Sequence, residues 1–175
     1  QKGLDLVEQA WETLLGRDLQ FVLLGSGEAR HMAFFAAIRD AHPGQVAIRL
    51  EFDDAFSRRI YGGADLFLMP SRYEPCGLGQ LIALRYGAVP VVRRTGGLAD
   101  TVTDPLEDPA ANGFTFTPFS AEALLAALDR ALAVYRVGEK WRELMRRGMT
   151  QDFSWERAAR RYGELYAAIR EKGNG

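Results

Sequence analysis

Cysteine, histidine and long apolar runs are all scarce in this sequence of 175 residues. Cys76 is the only cysteine, so no disulfide can form within one chain, which is typical of a protein from a reducing compartment. His31 and His42 do not stand at metal-ligand spacing with Cys76, and we therefore predict no metal site. No apolar run reaches the roughly 20 residues that a membrane-spanning helix needs, so we expect no membrane partner.

Net charge is also lacking, although charged residues are common. The sequence is 26% charged and 47% hydrophobic, yet its formal net charge at pH 7 is only −1. This balance gives no electrostatic reason to expect nucleic acid as a partner. The length predicts one domain over residues 1–175. Because Gln1 is an unusual first residue for a translated protein, we expect this domain to be a piece of a longer chain.

The apolar pattern predicts helices and strands in alternation. Helices are predicted over residues 3–15, through Met32 to Ile38, and over 55–63, 75–86, 121–136 and 155–171. Strands are predicted over residues 19–24, 46–50, 66–69, 89–92 and 113–116. Short apolar strands between amphipathic helices indicate an α/β, Rossmann-like parallel sheet with helices on both faces. Since such domains usually open on a strand and this one opens on a helix, we expect a first strand upstream.

The most informative segment runs from Pro70 to Gln80 and reads Pro-Ser-Arg-Tyr-Glu-Pro-Cys-Gly-Leu-Gly-Gln. It follows a predicted strand and opens a predicted helix, with Pro75 at the first helical position. Glycines at positions 77 and 79 leave the first-turn amides open to an anion such as a diphosphate. Glu74 beside them could accept hydrogen bonds from sugar hydroxyls. The same residues equally fit a plain helix start with an acidic cap and two glycines for packing.

A second segment, Arg-Arg-Thr-Gly-Gly-Leu at 93–98, also follows a predicted strand. We take Thr95, Gly96 and Gly97 as candidate substrate-binding residues, because two glycines allow close backbone approach. The two arginines could neutralise phosphate, although an ordinary basic loop is the simpler explanation. Gly25-Ser26-Gly27 lacks the third glycine of a dinucleotide fingerprint, and no NAD site is predicted.

Two further residues stand where a ligand could reach them. Lys2 precedes the first helix and could contact a phosphate near the sheet edge. Phe52 follows a strand and could stack on a base. Each also has a simpler explanation, because lysines are mostly surface residues and phenylalanines mostly core residues.

Taken with their neighbours, these motifs resemble those of bacterial and plant glycogen and starch synthases. The resemblance rests on Pro-Ser-Arg-Tyr-Glu-Pro-Cys-Gly-Leu, Leu-Arg-Tyr-Gly and Arg-Arg-Thr-Gly-Gly-Leu-Ala-Asp-Thr-Val. It extends to Gln-Lys-Gly at the start of the chain and to Asn112-Gly113-Phe114 and Phe153-Ser154-Trp155 near its end. The similarity thus covers essentially the whole chain.

That family has the GT-B architecture, two Rossmann-like domains with the active site between them, and this chain is similar to the second domain only. The resemblance implies that Lys2 contacts donor phosphate, that Glu74 holds the glucose hydroxyls, and that Phe52 lies where an aromatic residue stacks on adenine. Backbone amides would line the sugar and diphosphate site at Cys76, Gly77 and Leu78. The implied reaction moves glucose from ADP-glucose to the non-reducing end of an α-1,4-glucan, with retention of configuration and without a metal or other cofactor. The implied location is the cytoplasm, or the plastid stroma of a plant.

Departures from the family pattern bear on these roles. A phosphate-binding arginine upstream of Gln-Lys-Gly, the acceptor site and a histidine of the first domain all fall outside this chain. Gly79 stands where many members have threonine or isoleucine, which loses a possible hydroxyl contact but leaves the amide available. Other retaining GT-B enzymes carry a second glutamate eight residues after the first, where this chain has Ile82. The open alternatives are the donor-binding domain of such an enzyme and a non-catalytic nucleotide-binding module.

Overall fold

Short strands and longer helices alternate along the chain, as the apolar pattern predicts. The computed structural model describes the backbone of residues 1–173 and the side chains of residues 1–170. Within this part of the chain the helices are α1 (Leu4–Leu15), α2 (Ala29–Ala41), α3 (Asp54–Gly63), α4 (Gly79–Tyr86), α5 (Gly96–Thr101), α6 (Ala121–Tyr135), α7 (Gly138–Thr150) and α8 (Trp155–Gly173). The strands are β1 (Phe21–Leu24), β2 (Val46–Arg49), β3 (Leu66–Met69), β4 (Val89–Arg93) and β5 (Phe114–Phe116).

All strand pairs are parallel, which confirms the predicted α/β class. β1 pairs with β2, while β3, β4 and β5 form a separate sheet in that order. Within the described residues β1 and β3 are not hydrogen-bonded to each other, so each has an unpaired edge. Because parallel strands end at the same side of a sheet, the loops after β3 and β4 lie at one edge, where α/β proteins bind ligands.

Strand β4 is buried on both faces, and this fixes the layers of the domain. Val89 and Val91 pack into a core with Leu6 of α1 and Leu124 of α6. Val92, one residue further along the strand, packs with Leu98 of α5 and with Val102, which directly follows this helix. A second core joins α1, α2, β1 and β2 around Trp11, whose ring meets those of Phe21 and Phe35 edge to face. Helices therefore cover both faces, as predicted.

Element boundaries differ from the prediction in three informative places. The fourth helix begins at Gly79, so the expected start at Pro75 is wrong. The cause is Gly77, whose φ of 74° is incompatible with a right-handed helix. Helices α5 and α7 were not predicted. α5 has only six residues, too few to show a helical period, whereas the buried Trp141, Leu144 and Gly148 of α7 do recur at helical spacing and could have predicted it. Serines cap two of the helices, since Ser120 Oγ accepts from Ala123 N at 3.3 Å and Ser154 Oγ accepts from Arg157 N at 3.4 Å.

Helix α8 carries an uncovered apolar face. Its exposed apolar side chains recur at helical spacing and are Trp155, Tyr162, Leu165, Tyr166 and Ile169. Tyr162 is 59% exposed and Tyr166 is 62% exposed, with their rings 6.3 Å apart. No helix in the described part of the chain has the length and apolar character needed to cross a membrane.

Candidate functional site

Three segments that are far apart in sequence meet at the carboxyl edge of the three-stranded sheet. They are Gln1–Gly3 before α1, the loop 70–78 between β3 and α4, and the loop 94–95 that leads into α5. The amide of Arg72 donates to the carbonyl of Gln1 at 2.9 Å, which joins the first segment to the second. The amide of Gly97 donates to the carbonyl of Glu74 at 3.0 Å, which joins the second segment to the third.

Gly3 allows the first of these junctions. Its φ is 75°, in the left-handed region that favours glycine, and a β-carbon there would lie 2.0 Å from the carbonyl oxygen of Pro70. Only glycine therefore lets the chain before α1 pass so close to the loop after β3. This contact brings Lys2, the preceding residue, over the loop that carries Glu74.

The glycine pair at 96–97 allows the second junction. A β-carbon on Gly96 would lie 2.1 Å from the carbonyl oxygen of Glu74, and one on Gly97 would lie 2.0 Å from that of Cys76. The start of α5 thus packs backbone against backbone on the Glu74 loop. Thr95, half-buried in extended conformation, precedes this contact as the N-cap of α5. The two segments singled out in the sequence are one structural unit.

Glu74 is the carboxylate at the centre of the site. It is only 7% exposed, which is unusual for an acidic residue and requires partners. Its Oε2 accepts from Lys2 Nζ at 2.6 Å and lies 3.3 Å from the hydroxyl of buried Ser71. Lys2 itself is mostly solvent-exposed, at 61% of its side chain. The two residues predicted to be catalytic are therefore in direct contact, with one of them open to a ligand.

The turn before α4 is held by Gln80, which is completely buried. Its Nε2 donates to the carbonyls of Cys76 at 3.2 Å and Gly77 at 2.9 Å, and to Thr101 Oγ1 at 3.2 Å. Leu78 is the N-cap of α4, and the first bond within the helix runs from the amide of Ile82 to the carbonyl of Leu78. The amides of Gly79 and of the next two residues therefore have no acceptor within the helix, the usual state of anion-binding amides at a helix start, although the amide of Gln80 is buried.

Side chains around this turn are accessible. Cys76 is exposed, and so is Leu78, at 68%. Gly79 has the ring of Phe67 at its side, since a β-carbon would lie 3.1 Å from it. A larger side chain at this position would thus press on this ring.

Arg93 and Arg94 do not stand free to bind phosphate. Arg93 donates to the carbonyls of Arg72 and Thr117, and so links the Glu74 loop to the segment after β5. Arg94 forms an ion pair with Glu107. The simpler explanation of these arginines, as structural loop residues, is the one that the contacts favour.

Phe52 lies outside the three converging segments, in the loop between β2 and α3. Its side chain is 89% exposed, so the alternative that it is a core residue is wrong. The neighbouring Asp53 caps α3 by accepting from the amide of Phe56 at 2.8 Å. An exposed ring at the carboxyl end of a parallel strand is available to stack on a planar ligand group.

Three contributors to the site were not predicted from the sequence. Ser71 and Gln80 lie within the first motif with completely buried side chains, and Arg93 opens the second motif and donates to backbone carbonyls. The one signal that could have identified any of them is Gln80, a polar residue directly before the apolar run Leu-Ile-Ala-Leu of α4. Together the site offers an exposed cation, a buried carboxylate and free helix amides, a combination suited to an anion with a hydroxyl-rich group attached.

Sequence comparison assigns the family. The model of the family described as "Glycosyl transferases group 1" matches residues 1–133, which is well over half of the chain. The chain belongs to the group 1 glycosyl transferases. The converging segments at Lys2, Glu74 and Gly97 all lie within the matched region of this glycosyl transferase.

The resemblance to glycogen and starch synthases is also confirmed. The chain is 65% identical over 167 residues to the glycogen synthase of Syntrophotalea carbinolica, covering 95% of this chain and 34% of that protein. It is 53% identical to the glycogen synthase of Moorella thermoacetica, covering 98% of this chain and 36% of that protein. The chain thus spans about a third of the length of these relatives.

A solved glycosyl transferase has the same fold. The catalytic domain of starch synthase IV from Arabidopsis thaliana, bound to ADP and acarbose, superimposes with a TM-score of 0.87 at 40% identity. The match covers 96% of this chain and 36% of that one. The similarity in sequence and in structure therefore covers nearly all of this chain and about a third of each of these longer proteins.

Proposed function

We propose that this chain is the donor-binding domain of a glycogen or starch synthase, which binds ADP-glucose and presents its glucose for transfer. The observation that carries the proposal is the contact between Lys2 and Glu74 at the carboxyl edge of the sheet. It unites a cation for the diphosphate with a carboxylate for the sugar. The starch synthase of similar fold is described as bound to ADP, which favours an adenine nucleotide.

Each part of the donor has a candidate partner. The free amides at the start of α4 and the ammonium of Lys2 would hold the diphosphate. Glu74 would accept hydrogen bonds from the glucose hydroxyls, and the ring of Phe52 would stack on adenine. The backbone of Cys76, Gly77 and Leu78 would line the sugar and diphosphate, with Thr95, Gly96 and Gly97 fixing the loop from the other side.

The proposed reaction transfers glucose to the non-reducing end of an α-1,4-glucan with retention of configuration. Departure of the diphosphate would be stabilised by Lys2 and the helix amides, an electrostatic role that does not require a bound metal. Among the described residues, no three His, Cys, Asp or Glu side chains are grouped as a metal site would need. We propose the cytoplasm, or the plastid stroma of a plant, as the place where this reaction occurs.

A second domain would complete the enzyme. The acceptor glucan would bind to an N-terminal domain that precedes this one, since the chain spans about a third of its relatives. The exposed aromatic face of α8, with Tyr162 and Tyr166, is the kind of surface that a neighbouring domain covers. A strand upstream of Gln1 would fit the unpaired edges of β1 and β3.

Calorimetric titration of this chain tests the proposal. ADP, UDP and ADP-glucose are titrated in parallel, with magnesium and with EDTA. We expect binding of ADP and ADP-glucose, preference over UDP, and the same affinity in EDTA. Preference for UDP would indicate another glycosyl transferase of this group, and loss of binding in EDTA would contradict the amide-and-lysine site.

An assay with labelled ADP-glucose distinguishes the activity of this domain from that of the full-length protein. Incubated with this chain and glycogen, it should leave no label in the polymer, because the acceptor half is not included. Robust incorporation by the chain alone would contradict the two-domain proposal. The same assay with the full-length protein should incorporate label, and its failure to do so would contradict the synthase proposal.

A further inference from the structure

We propose that Ser71 is a positioning residue that keeps the Glu74 carboxylate aimed at the donor sugar while Lys2 binds the diphosphate. This inference rests on the proposed function and adds to it a residue whose side chain is hidden from the ligand. Ser71 is completely buried and lies three residues before Glu74 in the loop after β3.

Both donors contact the same carboxylate oxygen. Lys2 Nζ lies 2.6 Å from Oε2 of Glu74, and Ser71 Oγ lies 3.3 Å from the same atom. Within the described residues, no protein donor contacts Oε1. Protein donors thus hold the carboxylate through Oε2 and leave Oε1 available. This arrangement allows Oε1 to accept a hydrogen bond from a hydroxyl of the ligand.

The two donors differ in freedom to move. The side chain of Lys2 is 61% exposed and is tied to the domain only by this contact among its described polar partners. Ser71 is fixed, because Arg93 Nη1 donates to its carbonyl at 3.4 Å and to that of Arg72. An arriving diphosphate would therefore draw Lys2 away and leave Ser71 in place.

The long distance between Ser71 Oγ and Glu74 Oε2 agrees with these separate roles of Lys2 and Ser71. Hydroxyl-to-carboxylate bonds are typically about 2.5–2.7 Å, so 3.3 Å is a weak contact while lysine occupies Oε2. Once lysine turns to phosphate, the Glu74 carboxylate can move towards this fixed hydroxyl and form a shorter bond with it. Without that hydroxyl, Oε2 would have no protein donor in the ligand-bound site, and the nearly buried carboxylate would rotate to find one.

The test measures affinity for ADP and ADP-glucose separately, by calorimetry on this chain. Removing the hydroxyl with Ser71→Ala should leave ADP affinity unchanged and weaken ADP-glucose binding roughly tenfold, as expected for a hydrogen bond to a charged group. Ser71→Thr, which keeps the hydroxyl, should restore the preference for ADP-glucose. If Ser71→Ala does not fold, Ser71→Cys takes its place as the test variant. Cysteine has nearly the shape of serine but is only a weak donor, so it should likewise weaken ADP-glucose binding and leave ADP affinity unchanged.

Ser120→Ala is the matched control. It removes another hydroxyl with a backbone role, the cap of α6, far along the chain from the Glu74 loop. It should lower the melting temperature and leave both affinities unchanged. Equal affinities of Ser71→Ala and wild type for ADP-glucose, or equal loss for ADP and ADP-glucose, would overturn the positioning role alone. Failure of the wild-type chain to bind either ligand would overturn the proposed function and this inference together.

Discussion

Lys2 donates to Glu74 over 2.6 Å, although 72 positions separate the two residues in the sequence. The contact ties the segment before α1 to the loop after β3 and places opposite charges side by side at the edge of the sheet. Glu74 is buried and Lys2 is mostly exposed, so the pair has one fixed member and one adaptable member. Variants of the two residues should therefore affect different parts of ligand binding.

Replacement of Lys2 by alanine should weaken ADP binding without unfolding the domain. We expect affinity to fall about tenfold, the order of one hydrogen bond to a charged group. Stability should fall by about 1–3 kcal/mol, because the nearly buried Glu74 carboxylate loses its charged donor and keeps only the weak contact with Ser71. Calorimetry and thermal melting measure both quantities. Lys140→Ala, an exposed lysine on α7, is the control, and equal ADP affinity in the two variants would contradict the role of Lys2.

Much of this domain follows from the sequence because its strands are short, apolar and bounded by glycine or proline. β3 and its stop at Pro70 were predicted at the correct residues for that reason. The start of α4 was not, because Pro75 suits a first helical position locally, while Gly77 and the buried amide of Gln80 impose a turn instead. Tertiary contacts between separate segments are what local preference cannot include.

Replacement of Gly97 by alanine should separate the two loops of the site. The new β-carbon would lie 2.0 Å from the carbonyl oxygen of Cys76, and the atom is backbone, which cannot move aside alone. We expect a loss of about 1–3 kcal/mol or more in the free energy of unfolding, as for other overpacked sites, and loss of ADP binding. Urea unfolding and calorimetry give the two values.

The control for this change is Gly163→Ala. Gly163 lies in α8 with no atom within 4 Å of its missing β-carbon. Alanine there should be neutral or stabilise the helix by up to about 1 kcal/mol. If Gly97→Ala is as stable as the wild type and binds ADP with the same affinity, the close approach of the two loops is not required for folding or for ADP binding.

Replacement of Phe52 by alanine tests base stacking. The ring is 89% exposed, so its removal should leave the melting temperature unchanged. ADP affinity should weaken by about 1–3 kcal/mol, as for aromatic stacking on other bases. Trp155→Ala, which removes a ring that is 85% exposed on α8, should not alter ADP binding. Unchanged affinity for Phe52→Ala would exclude stacking by this residue.

The candidate site was predictable as a set of residues but not as an arrangement. Lys2, Glu74 and the glycine pair each follow from the motifs, whereas their convergence depends on backbone contacts across the sheet edge. Ser71 could not be singled out, because serine is common in loops and only the fold shows it to be buried beside a carboxylate. The sequence also left open whether Glu74 simply caps α4, and the structure assigns the cap to Leu78.

The decisive change is Glu74→Gln in the full-length protein. The amide keeps the shape of the side chain but accepts hydrogen bonds less strongly than a carboxylate, and it carries no charge to balance positive charge developing at the reacting carbon. ADP affinity should therefore persist, since Lys2 and the amides of α4 remain, whereas turnover should fall by about 100-fold or more, the order that one lost electrostatic contact costs in an active site. Turnover, ADP affinity and melting temperature are measured on the same preparation. Ser120→Ala provides the comparison for a purely structural defect, with about 1 kcal/mol of lost stability and normal turnover. If Glu74→Gln behaves in that same way, with a lowered melting temperature and nearly normal turnover, the carboxylate holds the loop and not the sugar.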